Sequence, residues 1–486
     1  MAIQAGRVRI LNDVEPRGDG RYVLYLLQQA NRAHHNPALE WAVEEGNRLG
    51  LPVLACFGLL DGANGFPEAN ARHYAFLLQG LADAALGFEA RGIGFCLRKA
   101  SPAAIAIGLA KQAAVLVLDR GYLAIQKRWY DEIAAAVETR VVQVEGDVVV
   151  PVDVVSSKHE YAARTLRPKL HKHLDDYVAP LAARTVKHRA GAGLPRSEVD
   201  IADPDAVLAG MSLDRVVGPV RRFTGGETEA RRRLAAYLDG PFAQYGSDRN
   251  RPEAGAASHM SPYLHFGQIS PVEIVLAVRA AKTGGREDKT AYVEEVVVRR
   301  ELAMNHVHHT EGYDDYARAV PEWARKVLAE HAADPRPRTY TETELAEGKT
   351  HDVYWNAAQA EMRETGYMHN HLRMYWGKKI LEWSPSPEEG FARTLRLNNR
   401  YFLDGRDANS FTNVAWVYGL HDRPWARRKI FGTVRYQSEN SLRKFDAKAY
   451  LKTVEALCRA EAEGKDEHAK VQPLPERSAR RAKGSS

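Results

Sequence analysis

Cysteine is nearly absent. Cys56, Cys96 and Cys458 are the only three in 486 residues, too few to staple a chain of this length. No CxxC pair or Cys/His cluster of zinc-finger spacing occurs, so a structural zinc module is excluded. Long apolar runs are missing as well: no stretch approaches 18 uninterrupted apolar residues, and the opening MAIQAGRVRILNDVEPRGDG lacks the apolar core of a secretory signal. The chain is therefore expected to be soluble and cytoplasmic. HExxH and GxSxG do not occur. GAGLPR (191–196) lacks the third glycine of a dinucleotide loop, and EGKT (347–350) has Thr343 where a phosphate-binding loop needs its first glycine. His306, His308 and His309, like His369 and His371, fall at spacings that send i and i+2 to different helical faces, so no metal site is expected.

What is present is a globular composition, 45% hydrophobic and 27% charged, long enough for two or three domains. The net charge is +6, and its position carries more information than its size. Residues 351–460 hold 18 Lys/Arg against 12 Asp/Glu, a surplus equal to that of the whole chain. Positive charge gathered in one segment fits a face that meets a polyanion.

Residues 21–150 alternate apolar runs with helical stretches. RYVLYLL (21–27), PVLACFGLL (52–60), AAVLVLD (113–119) and VVQVEGDVVV (141–150) read as strands, with helices at 37–50 and 69–92. That alternation predicts an α/β domain with a parallel, Rossmann-like sheet over 1–150. Residues 151–222 read as a long linker, and its Gly/Pro/Asp-rich part is 186–208. After 223 the strand signal almost vanishes, so an all-helical domain is expected over 223–460. The basic, polar 461–486 reads as a disordered tail.

Five of the eight tryptophans lie between 355 and 425: Trp355, Trp376, Trp383, Trp416 and Trp425. Trp376 and Trp383 are seven apart, on one face of one helix, at a spacing that suits either core packing or an electron relay. Arg373 precedes Trp376 by three residues, and YFLDGRDANSF (401–411) places Asp404, Arg406, Asp407 and Asn409 around a glycine. Such a polar turn between helices can line a polar ring system or a ribose, and an Arg373–Asp404 pair would tune a redox cofactor. In ASHMSPYLHFGQISP (257–271), Ser258 and Ser261 with Pro262 read as a helix start that either caps itself or holds a diphosphate.

These segments together resemble the photolyase/cryptochrome family of flavoproteins. GGETEARRRLAAYL (225–238), SPYLHFGQISP (261–271) and the run from EGKT to AAQAEMRETGYMHNHLRM (347–374) carry the family-wide likeness. EYAARTLRPKL (160–170), GKTHDVYWNAAQ (348–359), DGRDAN (404–409) and the stretch from HDRPW to RKFDAKAYL (421–451) resemble the class II branch, which splits cyclobutane pyrimidine dimers. The resemblance runs from about residue 20 to 455. It implies a light-driven carbon–carbon lyase with an α/β antenna domain and a helical domain that binds FAD, active when reduced. A second, antenna chromophore of deazaflavin or folate type is left without a mapped motif. The alternative is a cryptochrome-like photoreceptor that binds FAD without repair.

By resemblance, Tyr245 and Ser258, His259, Met260 and Ser261 contact the cofactor phosphates. Arg373, Asp404, Gly405 and Arg406 flank the flavin, and Asn398 faces its N5. Trp355, Trp376 and Trp383 match the branch's electron-transfer tryptophans. Glu295 matches an acid that hydrogen-bonds the dimer, Met374 lines the same pocket, and Trp416 packs on the flipped bases. Arg299 stands where some relatives carry a tryptophan, and it would stack or bind phosphate instead. Trp425 with Arg423, Arg427, Arg428, Lys429, Arg435, Arg443 and Lys444 is assigned to DNA as a group. The partner implied is UV-damaged DNA, and a monomer is expected.

Overall fold

A computed structural model describes residues 3–61, 66 and 68–463. The 464–486 part of the expected tail lies outside the described residues. The helix Ala447–Glu463 carries order three residues past the expected end of the helical domain at 460.

Six strands form one sheet: β1 (Val8–Ile10), β2 (Tyr22–Leu26), β3 (Val53–Gly58), β4 (Gly94–Arg98), β5 (Ala113–Asp119) and β6 (Arg140–Val144), in the order β1-β6-β5-β2-β3-β4. All neighbours are parallel except β1, which pairs antiparallel with β6 at one edge. The strands are buried on both faces because successive side chains go to opposite sides. Val23 and Tyr25 of β2 face the helices Pro37–Leu49 and Ala71–Arg91, through Leu39, Val43, Leu78 and Leu81. Tyr22, Leu24 and Leu26 face the helices Pro102–Ala110 and Ala124–Ala136, through Ile105, Leu109, Trp129 and Ile133. Helix Pro37–Leu49 starts where Asn36 accepts from the Leu39 N–H with Pro37 in the first turn, and stops at Gly50, whose φ of 74° is left-handed.

Four features depart from the sequence reading. β1 and β4 are short and carry Arg9 and Arg98, so neither shows a sustained apolar run. The strand expected over 141–150 ends at Val144. Residues 145–150 form a turn instead, and Arg7 donates to the Glu145, Val148 and Val149 carbonyls there. The linker contains the helix Ala163–Tyr177, whose Leu166 and Leu170 are buried in the helical domain's core. Its irregular part, 178–203, lies along β4: the Glu198 N–H donates to the Leu97 carbonyl, and the Leu97 N–H to Ser197 Oγ. That contact covers the edge strand.

The helical domain packs around three cores. One gathers Tyr237, Phe242, Tyr263 and Tyr292, a second Trp355, Trp376, Trp383 and Phe402, and a third Leu328, Phe391, Val414 and Tyr418. Arg286–His309 is one long rod whose middle, Glu294–Arg299, is a π-helix. Such a bulge shifts the hydrogen-bond ladder by a residue and commonly marks a functional segment.

Candidate functional site

The expected Arg373–Asp404 pair forms. Arg373 Nη1 and Nη2 donate to the two Asp404 oxygens at 3.1 Å each, a bidentate fork. Arg373 Nε donates to the Met368 carbonyl, and the guanidinium lies 4.0 Å from the centre of the Phe402 ring. Asp404 is placed by a turn that folds back on the end of helix Pro387–Tyr401. A Cβ on Gly405 would come within 2.9 Å of the Asn398 and Phe402 carbonyls, so glycine is required there. Arg406 follows with a left-handed φ of 67°.

Phe402 joins this pair to the tryptophans. Its ring centre is 6.2 Å from that of Trp376. Trp376 and Trp383 share a helix, Asn370–Trp383, but Trp355 from helix Val353–Thr365 bridges them: it stacks on Trp376 at 6.5 Å and 8°, and meets Trp383 edge-on at 5.5 Å. All three are buried, and two indole N–H groups are held, Trp355 Nε1 by the Trp376 carbonyl and Trp376 Nε1 by Gln359 Oε1.

Around the other expected cofactor residues, Tyr245 is buried beside Tyr292, and the Tyr292 hydroxyl donates to Ser258 Oγ. Of the two readings of Ser258 and Ser261, side-chain capping of helix Ser261–His265 does not occur. Helix Ser261–His265 begins at Met260 without a side-chain cap, because Met260 is already helical and Ser261 is inside the first turn. Among the described residues the Ser261 hydroxyl caps no helix and is left for another partner, which suits a phosphate group. A bidentate ion pair, a buried asparagine at 398 and the Ser261 hydroxyl are a set of polar groups that fits the flavin and phosphates of FAD.

The π-helical segment carries both Glu295 and Arg299, which make separate contacts. Arg249 Nη1 donates to Glu295 Oε1 at 3.1 Å. Arg299 is held by Glu294, which also takes a fork from Arg167 of the linker helix, and its guanidinium sits 5.9 Å from the Trp416 ring. Met374 packs on the Val414, Ala415 and Val417 cluster of the helix Ala408–Val417 that carries Trp416. Trp425 is exposed between Arg423 and Arg435, at 5.3 and 5.1 Å. Arg427, Arg428, Lys429, Arg443 and Lys444 are exposed on the same stretch of chain.

Sequence reasoning passed over two groups at this face. Lys378, fully buried, donates to the Val417 carbonyl and so ties the tryptophan helix to the end of the Trp416 helix; burial pushes its ammonium down to about 7. His159, His306 and His421 cluster with ring centres 5.0 to 5.9 Å apart, and His421 meets Trp416 at 5.8 Å. Nδ1 of His421 donates to the Tyr161 carbonyl, which anchors the linker to this loop. Burial lowers His421 to about 4 and His306 to about 2. Among the described residues no group of three or more His, Cys, Asp or Glu is arranged to hold a metal ion.

A cavity of about 120 Å³ lies between the domains where the ends of β2 and β3 meet the helix Ala71–Arg91. Gln28, Tyr74, Trp129, Met304 and Asp407 line it. So does Arg406, whose side chain turns here; the Arg406 contact toward Asn398 is made by its backbone N–H alone, through Asn399. This is the point at which strand order reverses in the sheet, the usual ligand crevice of open α/β folds.

Fold and site together define a class, the photolyase/cryptochrome architecture. A bacterial class III photolyase from Agrobacterium tumefaciens matches with a TM-score of 0.69 at 20% identity, over 90% of this chain and 86% of that one. An archaeal photolyase from Sulfolobus tokodaii, solved with two FAD molecules, matches at 0.65 and 15% identity, over 89% of both chains. The family model described as DNA photolyase matches residues 23–186. A deoxyribodipyrimidine photo-lyase from Methanothermobacter thermautotrophicus is 44% identical over 94% of this chain and 99% of its own length. Another, from Potorous tridactylus, is 35% identical over 92% of this chain and 84% of its own. The chain belongs to the DNA photolyase family. Among the described residues no helix is long and apolar enough to cross a membrane.

Proposed function

We propose that this protein is a light-driven DNA repair enzyme that splits cyclobutane pyrimidine dimers flipped into a pocket beside FAD. The observation that carries the reading is the continuity of the site: the Arg373–Asp404 fork, Phe402 and the Trp376–Trp355–Trp383 stack form one unbroken path through the helical domain. FAD, when bound and reduced, supplies under blue or near-UV light the electron that opens the dimer and takes it back.

The protein's own residues bind, orient and exclude water. Tyr245 and Ser258–Ser261 hold the phosphates. Arg373 and Asp404 flank the ring system, where a bidentate pair sets the local field without adding net charge. Asn398 faces the N5 edge. The tryptophans conduct electrons inward from Trp383 through Trp355 to Trp376, since only Trp355 touches both others.

On the DNA side, the carboxylate of Glu295 accepts an imide N–H of the dimer, and Met374 supplies apolar wall. Trp416 offers the stacking face for the flipped bases. Arg299, already within cation–π range of that ring, closes the pocket from the other side in place of an aromatic. Extrusion costs a few kcal/mol, and least for a damaged step that is already poorly paired. The exposed basic residues from Arg423 to Lys444 take the flanking phosphates. The interdomain cavity is the place for a planar antenna chromophore of deazaflavin or folate type.

A photoreceptor without repair would share the fold but would not need this pocket. Binding in the dark separates the two: the FAD-loaded protein should hold a dimer-containing duplex at least tenfold more tightly than the undamaged one, with the preference lost in Trp416→Ala. Equal affinities for both duplexes would favour the photoreceptor.

A further inference from the structure

The side chain expected to meet the flavin N5, Asn398, is one end of a hydrogen-bond chain that crosses into the α/β domain. Asn398 Nδ2 donates to Asn399 Oδ1 at 3.1 Å, and Asn399 Nδ2 donates to Glu68 Oε2 at 2.6 Å. The Arg406 backbone N–H also donates to Asn399 Oδ1, at 3.0 Å. Asn398 and Asn399 are buried, and Glu68 precedes the helix Ala71–Arg91 in a left-handed turn, φ 61°.

The polarity of this chain is forced. A backbone N–H can only donate, so Asn399 must turn its oxygen toward Arg406. Its amide nitrogen then faces Glu68, whose carboxylate accepts. The same oxygen faces Asn398, which must answer with its own nitrogen. What remains of Asn398 is Oδ1, an acceptor, and among the described residues no donor is hydrogen-bonded to it. Turning the Asn398 amide over would set oxygen against oxygen at Asn399, at a cost of about 1–3 kcal/mol for the mismatched buried groups.

An acceptor at that position is not neutral toward the flavin. Reduced flavin carries an N–H at N5, whereas oxidised flavin presents a lone pair there. We propose that Asn399 and Glu68 are positioning residues that fix the Asn398 carbonyl outward, so that the site holds the reduced flavin in preference to the oxidised one. The proposal rests on FAD occupying the helical domain with N5 at Asn398. It adds that the α/β domain, through Glu68, sets the redox balance of a cofactor bound in the other domain.

The test is a spectroelectrochemical titration of the full chain loaded with FAD, read as the ratio of reduced to oxidised flavin at one fixed potential. Asn399→Leu removes the acceptor and should lower that ratio about tenfold, the effect of one oriented hydrogen bond. The double variant Asn399→Asp/Glu68→Gln keeps an acceptor toward Asn398 and Arg406, reverses the outer bond and keeps the net charge while moving it from position 68 to position 399. It should hold a higher proportion of reduced flavin than Asn399→Leu. Should Asn399→Leu fail to fold, Glu68→Ala in the turn should move the ratio the same way by a smaller factor. A wild-type ratio in Asn399→Leu or Glu68→Ala with flavin bound, or a double variant as poor as Asn399→Leu, overturns the proposal while leaving the flavin site intact. A wild-type chain that binds no FAD overturns the flavin site itself, and this proposal with it.

Discussion

The phosphate assignment yields a number. Of the seven basic residues placed on the DNA face, Arg427 is already engaged by Glu330 at 3.4 Å, which leaves Arg423, Arg428, Lys429, Arg435, Arg443 and Lys444 exposed for phosphate. Each phosphate neutralised on duplex DNA contributes about −0.9 to the slope of log affinity against log salt, so six give a slope of about −5. Raising salt fourfold, from about 50 to about 200 mM, should then weaken binding about a thousandfold. The assay is fluorescence anisotropy of a labelled duplex carrying one dimer, titrated at five or more salt concentrations in the dark. Arg428→Ala should flatten the slope by about one and weaken dimer-containing and undamaged duplexes equally, because a phosphate contact carries no sequence or lesion information. A slope shallower than about −2 would refute the assignment of this face.

Trp355→Phe should slow the light-driven reduction of oxidised flavin severely, because Trp355 is the ring that touches both Trp376 and Trp383, while repair by chemically reduced protein survives; normal photoreduction would remove Trp355 from the path. The buried histidines make folding acid-sensitive. His421 and His306 sit at about 4 and about 2 when folded, below the ordinary value near 6.5, so the unfolded chain takes up more protons between those values. Their contribution to stability is complete above about pH 6.5 and is lost as pH falls toward 4, on the order of 3 kcal/mol for His421. Denaturant unfolding at steps from pH 7 to 4 should show that fall, flattened in His421→Gln; a flat wild-type profile would show that these rings are not buried neutral.

The sequence made the larger elements legible where one physical signal dominated. β2, β3 and β5 are continuous apolar runs because both faces of the sheet are covered, and helix Pro37–Leu49 is bracketed by Asn36 and Gly50. β1 and β4 escaped because three to five residues with a charged member carry no such signal. Helix Ala163–Tyr177 escaped because its sequence, ARTLRPKLHKHLDDY, buries only a narrow stripe and contains Pro168. At the site, Arg373 and Asp404 were paired correctly across 31 residues, through the family likeness and not through spacing. Three relationships had no local signal at all. Trp355 lies between two tryptophans of another helix, the segment carrying Glu295 and Arg299 is a π-helix, and Glu68 reaches Asn399 across 331 residues. The first and last depend on packing between separate elements and the second on a bulge inside a helix, none of which periodicity and composition encode.

The central claim is tested by the reaction itself. The FAD-loaded protein, reduced and mixed with an oligonucleotide containing a single cyclobutane dimer, is exposed to blue light, and intact pyrimidines are followed by chromatography. The account predicts conversion to monomers that requires both light and reduced flavin, with none in the dark and a strong loss of rate in Glu295→Ala. Dimers that persist under light while reduced flavin stays bound would contradict it.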